Sequence, residues 1–219
     1  MIDRTTTGQS RHRAYESFTK LLLAGEFQPG QFVSQRQLVN VTGLPLGAIR
    51  ELIPRLEVEG LIKTVPQRGL QIAHIDLNLI REAFQFRLFI EREAVAVFCQ
   101  EAPAELLQSL RKEHEETLDQ AKVTGETPEL EKKAQMIDWN LHDEIVGWLN
   151  NEIIWRAYRT NTIKTRLISQ ERFRIAGRVI PVMEEHLKVL EAIETRNPQL
   201  AMDAITVHIN NARSLALKI

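Results

Sequence analysis

The apolar positions of this chain change rhythm once, near residue 76. Before it the elements are short. Over residues 10–24, Tyr15, Phe18, Leu21 and Leu22 recur at helical spacing, and Gly25 stops the pattern. Gln28-Pro29-Gly30-Gln31 signals a turn. Ser34 is placed to cap a short helix through Leu38 and Val39, closed by Thr42-Gly43. A third helix begins near Pro45, a residue suited to a first turn, and runs to Val58 with Ile49, Leu52, Ile53 and Leu56 as its buried stripe. After Gly60 come two β-prone runs, 61–65 and 70–75, parted by Pro66-Gln67-Arg68-Gly69. Three helices and a hairpin in about 65 residues predict a winged helix-turn-helix.

After residue 76 the pattern is helical throughout. It predicts segments 77–101, 103–123, 128–149, 151–175, 179–196 and 198–217, broken at Pro103, Gly125/Pro128 and Pro198, with Gly177 ending a fourth segment that looks divisible. The expected fold class is therefore mainly α. A polar, disordered stretch covers 1–9, a winged helix-turn-helix 10–75, and an all-α bundle 76–219. Polar side chains facing the interior of such a bundle are costly unless they are used.

Composition changes this picture little, except through its distribution. The 219 residues carry a formal net charge of −1, yet residues 1–75 hold nine Lys/Arg against six acids and the remainder 19 against 23. A basic first domain joined to an acidic second one suits a polyanion as partner of the first. No apolar run reaches the length of a membrane span, and the N-terminus lacks the apolar stretch of a secretory signal. The single cysteine, Cys99, lies among Ala94, Val95, Val97 and Phe98, reads as a small core residue, and fits a cytoplasmic protein.

The candidate chemistry lies in the helical half. Asp138 and His142, four apart in DWNLH, share a helix face. His186 and His208 flank the Arg196-Asn197-Pro198 loop at nearly equal distances, so an antiparallel hairpin brings them level. Three imidazoles and a carboxylate suit a borderline divalent metal. An isolated Asp/His pair is ordinarily a surface contact, and a histidine among Glu184, Glu185 and Lys188 is ordinarily solvated. The apolar neighbours of His208 and the hairpin register weigh the other way. His12, His74 and His114 read as surface or structural, and Asp143, Glu144 and Glu184 are out of helical phase with the four.

Two stretches, LLLAGEFQPGQFVSQRQLVNVTG and AIRELIPRLEVEGLIKTVPQRGLQIA, resemble the DNA-binding half of the GntR superfamily of bacterial transcriptional regulators. The resemblance implies a homodimer on a near-palindromic DNA operator, with Arg36, Arg50 and Arg68 at DNA-contacting positions. Arg55, further along the same helix as Arg50, reads as a surface charge. Where that family starts its recognition helix with a polar Ser/Thr-Arg-Thr-Pro-like run, this chain has Pro45-Leu46-Gly47-Ala48, which offers no side-chain donor to a base. FQFRLFIEREAV and the set Asp138, His142, His186, His208 resemble the metal-binding form of the FCD-type effector domain, found in the fatty-acid-regulator branch. That implies a Zn²⁺, Ni²⁺ or Mn²⁺ site, with a small organic acid as effector and Arg87 as its partner.

The expected function is thus a DNA-binding regulator, most often a repressor, controlled by a small carboxylate at a metal site. A metalloenzyme using metal-activated water and a dedicated metal sensor are the alternatives. No further catalytic constellation accompanies the quartet, which argues against an enzyme.

Overall fold

The computed structural model describes residues 4–172 and 174–218, with side chains from Arg13 onward. It divides into two compact units, residues 1–79 and 80–219.

In the first unit α1 (Arg4–Leu23) packs through Ala14, Phe18 and Leu22, which are buried, and Phe18 stacks on Phe27 at 5.6 Å. The helix starts earlier than expected. Residues 4–9, expected to be disordered, continue it, because a helix already nucleated by a packed stripe extends at one hydrogen bond per residue; residues 1–3 lie outside the described residues. Ser34 caps α2 (Gln35–Thr42) through a reciprocal box with Gln37, and Gly43 ends it at φ 68°. Pro45 does not join α3 (Leu46–Val58). It is the extended residue before it, at φ −66° and ψ 151°. Ile49, Leu52, Ile53 and Leu56 form the buried stripe of α3.

The wing is a hairpin of β2 (Ile62–Val65) and β3 (Gly69–Ile72), with Val65 opposite Gly69. A third strand, β1 (Phe32–Val33), pairs with β3 on its other edge; the pattern gave no sign of it because it spans two residues. Gly69 makes that pairing possible. At φ 93°, any Cβ it carried would lie 3.0 Å from the Val33 carbonyl oxygen. Strand β3 stops at Ile72, short of the expected residue 75, opposite Ile62, where its four-residue partner β2 begins.

The second unit is a helical bundle of α4 (Leu77–Glu101), α5 (Ala104–Thr124), α6 (Pro128–Gly147), α7 (Glu152–Arg172), α8 (Val179–Glu194) and α9 (Pro198–Ala216). Helix α7 is undivided over its described length. Thr127 caps α6 and Asn197 caps α9, each followed by proline in the first turn. Helix α8 runs between α5 on one side and α9 on the other, so its buried face carries Val182, Met183, His186, Val189, Leu190 and Ile193. Cys99 is buried and its thiol donates to the Ile193 carbonyl at 3.3 Å. Among the described residues no helix is long and apolar enough to cross a membrane.

Candidate metal centre

Asp138 and His142 project together from α6, His186 comes from α8 and His208 from α9. The reverse turn at Arg196 (φ 58°) folds the last two helices into the hairpin. Rings of His186 and His208 lie 4.7 Å apart, those of His142 and His208 5.1 Å. One donor atom from each of the four residues falls within 4.8 Å of the others. Ligand atoms about 2.0–2.2 Å from one ion stand roughly 3–4.4 Å apart, so a small contraction suffices.

The three histidines are almost wholly buried, and their outward nitrogens are each met by another group. His208 Nδ1 donates to Glu185 Oε2 at 2.9 Å. His142 Nδ1 lies 2.7 Å from Glu91 Oε2, an off-axis electrostatic contact rather than a well-formed hydrogen bond. His186 Nδ1 lies 3.1 Å from Nε2 of His114, a residue with no exposed surface, whose own Nδ1 sits 2.7 Å from the Leu110 carbonyl. A carbonyl only accepts, so His114 carries its proton on Nδ1 and its Nε2 accepts from His186. That leaves His186 Nε2 with a lone pair, turned inward 3.4 Å from Asp138 Oδ1, buried and without a hydrogen bond. His142 Nε2 and His208 Nε2 stand 3.3 Å apart. Inward lone pairs with outward N–H groups held by acceptors are what a metal-ligating histidine set requires, and the residues fit a divalent ion.

Electrostatics point the same way. Burial lowers His142, His186 and His208 below the ordinary imidazole value, and burial with His186 alongside lowers His114 to about 4. All four rings are neutral near pH 7. Burial alone would raise the carboxyls, but Arg87 and His142 hold Glu91 down at about 2, and the close approach of His186, with His142 and Arg87 nearby, holds Asp138 well below its usual range. The carboxylates are charged and the imidazoles bare, as metal binding demands.

Arg87 reaches the same point. Its Nε pairs with Glu91 at 2.7 Å and its Nη2 donates to His142 Nε2 at 2.6 Å. The i,i+4 ion pair and a place in the cleft coexist. The cleft that holds these groups is open to solvent at its mouth. Asp143 lines it but holds Arg159, Arg166 and Tyr158, while Glu184 faces Lys122.

Sequence reasoning missed His114, Glu91 and Glu185 as supports of the quartet. The i−4 relation of His114 to Leu110 shows only an ordinary helical residue, and its partner His186 is 72 positions away. His74 is exposed, and the side chain of His12 lies outside the described residues.

In the first unit Arg36, Arg50 and Arg68 are all exposed. Arg50 Nε donates to Gln35 Oε1 at 3.3 Å, tying the N-terminus of α2 to α3. Arg68 lies over the Phe32 ring at 3.9 Å. Arg55 is engaged internally, 3.5 Å over Tyr15 and 2.9 Å from Glu59. Leu46 is 41% exposed at the start of α3.

Residues 82–211 match the model of the FCD domain. Over 197 residues the chain is 24% identical to the HTH-type transcriptional regulator YdhC of Bacillus subtilis, covering 90% of this chain and 86% of that protein. Escherichia coli McbR/YncC shares the fold, with a TM-score of 0.75 at 15% identity over 94% of this chain and 96% of that one. The metal-free FCD domain of the regulator TM0439 aligns with a TM-score of 0.55 at 20% identity, covering 66% of this chain and 96% of that domain.

Proposed function

The chain belongs to the FCD-domain family, among the GntR-type transcriptional regulators, and on that premise we propose that it is a homodimeric repressor whose operator binding answers to a small carboxylate held at a divalent metal. The carrying observation is the convergence of Asp138 Oδ1 and the three histidine nitrogens beside Arg87. An ion held there supplies positive charge and coordination positions for a carboxylate oxygen. Zn²⁺, Ni²⁺ and Mn²⁺ all suit the donor set, and a neighbour known in a form described as metal-free supports the reading.

Arg87 links metal to effector. His142 Nε2 has one lone pair, and Arg87 Nη2 donates to it. With that lone pair committed to an ion, Arg87 keeps Glu91 through Nε and turns Nη2 to a new acceptor, for which a carboxylate fits best. The acid then alters DNA binding to the extent that it favours one arrangement of the regulator over another.

Arg36 and Arg50, exposed on α2 and α3, and Arg68 on the wing are the proposed DNA contacts. Leu46 and Ala48 offer thymine methyl contact in place of hydrogen bonds at the start of α3, so phosphate contacts and DNA shape carry much of the recognition. The test is fluorescence anisotropy on the promoter region of its own gene, with metal-free protein, with metal, and with metal plus a panel of organic acids. Release only when metal and an acid are both present is the expected result. Release on metal alone identifies the ion as the signal, and indifference to both overturns the proposal.

A further inference from the structure

Beyond the quartet the cleft runs along α7, and its wall is polar where a bundle interior is ordinarily apolar. Tyr158, Asn161, Thr162, Thr165 and Arg166 lie at i, i+3, i+4, i+7 and i+8 on one helix face and all line it. Arg166 is held in place on two sides. Its guanidinium lies 4.3 Å from the centre of the Trp139 ring, and its Nη2 donates to Asp143 Oδ2 at 3.0 Å. Its Nε is buried with no acceptor.

Asp143 does not neutralise it, because Arg159 Nη1 also donates to the same oxygen at 3.0 Å. One carboxylate between two guanidinium groups leaves a positive charge in excess. Arg178, half-buried in the same lining, forms no ion pair among the described residues. The cleft's arginines, counted with Arg159, balance its carboxylates Glu91, Asp138, Asp143 and Glu185. A divalent ion then leaves the site two positive charges to the good.

We infer that Arg166, with Arg178, forms a second anion subsite, and that the effector is a short di-anionic organic acid with one carboxylate at the metal and Arg87 and the other at Arg166. This rests on the metal-bound acid reading above. Trp139 and Asp143 follow Asp138 and His142 by one position each on α6, so the floor beneath Arg166 adjoins that beneath the histidines. The proposed effector is accordingly a short chain of about four or five carbons, bridging two neighbouring sets of residues on one helix.

The test is calorimetric titration of zinc-loaded protein of measured metal content with matched probes, succinate against butyrate and glutarate against valerate. The better di-acid is expected to bind at least about 30-fold tighter than its mono-acid partner, as a charge-assisted, partly desolvated pair requires. Arg166→Gln is expected to bring that ratio within about threefold while metal content and mono-acid affinity stay unchanged, and Arg166→Lys to give an intermediate ratio. Unchanged metal content and mono-acid binding also certify the fold of the variants. Equal affinities within both pairs, a ratio untouched by Arg166→Gln, or no di-acid binding overturns the inference with metal still bound. Metal content near zero overturns the metal reading itself and this inference with it.

Discussion

Replacing His114 by phenylalanine removes a group outside the quartet that governs the proton of one of its members, His186. His186 has no exposed surface, so water cannot replace the acceptor that its Nδ1–H loses. An unsatisfied buried donor costs about 1–3 kcal/mol. Without metal the His114→Phe protein escapes that cost by moving the proton to His186 Nε2, toward Asp138 Oδ1 at 3.4 Å. The metal-bound protein has no such escape, because Nε2 must then present its lone pair. The penalty therefore falls on metal affinity, which drops roughly 10- to 100-fold, or about 1.4–2.7 kcal/mol. His114→Gln places an amide oxygen within reach of His186 Nδ1 and restores most of the loss. Zinc competition against a chromophoric chelator measures all three proteins, and thermal unfolding in excess chelator checks that the variants fold. Affinity of the Phe variant within twofold of the parent, or a Gln variant no tighter than Phe, refutes the reasoning.

Metal removal by chelator is expected to lower the unfolding midpoint of the helical unit by roughly 5–10 °C relative to protein in metal at 100 times Kd, where linkage contributes about 2.7 kcal/mol; an unchanged calorimetric midpoint counts against the site. Arg50→Ala is expected to reduce the salt slope of operator binding by about 0.9, whereas Arg55→Ala leaves it unchanged, since Arg55 is committed to Tyr15 and Glu59. Equal slopes for the two variants contradict the assignment. In the chelator-treated protein His114, His142, His186 and His208 all titrate below the ordinary imidazole value. The unfolded chain then takes up protons first, so stability is full above about pH 6.5 and falls as pH drops toward the lowered His114 value of about 4. A urea midpoint constant between about pH 7 and pH 5 denies that these rings are buried neutral.

Periodicity placed the helices well, because a packed bundle obliges each helix to show an apolar stripe. The ends that moved were those set by local competition. Pro45 holds its extended conformation before α3, and β3 stops at Ile72, opposite the start of β2. Strand β1 left no trace, since two residues carry no period and Gly69, 36 positions past Val33, decides whether they pair.

The convergence of Asp138, His142, His186 and His208 was legible because helical spacing and hairpin length are one-dimensional facts. Asp138 and His142 share a face in any helix, and His186 and His208 stand level in any hairpin turning at Arg196. The rest depended on which helix packs on which. Only the approach of α5 to α8 puts His114 on the far nitrogen of His186. Only the bundle turns Glu91 and Glu185 to the outer nitrogens of His142 and His208, and Arg166 onto Trp139 above a carboxylate it must share. Sequence determined the donors, whose spacing is local; tertiary packing decided their protons and their charge, because both are set by neighbours far away in the chain.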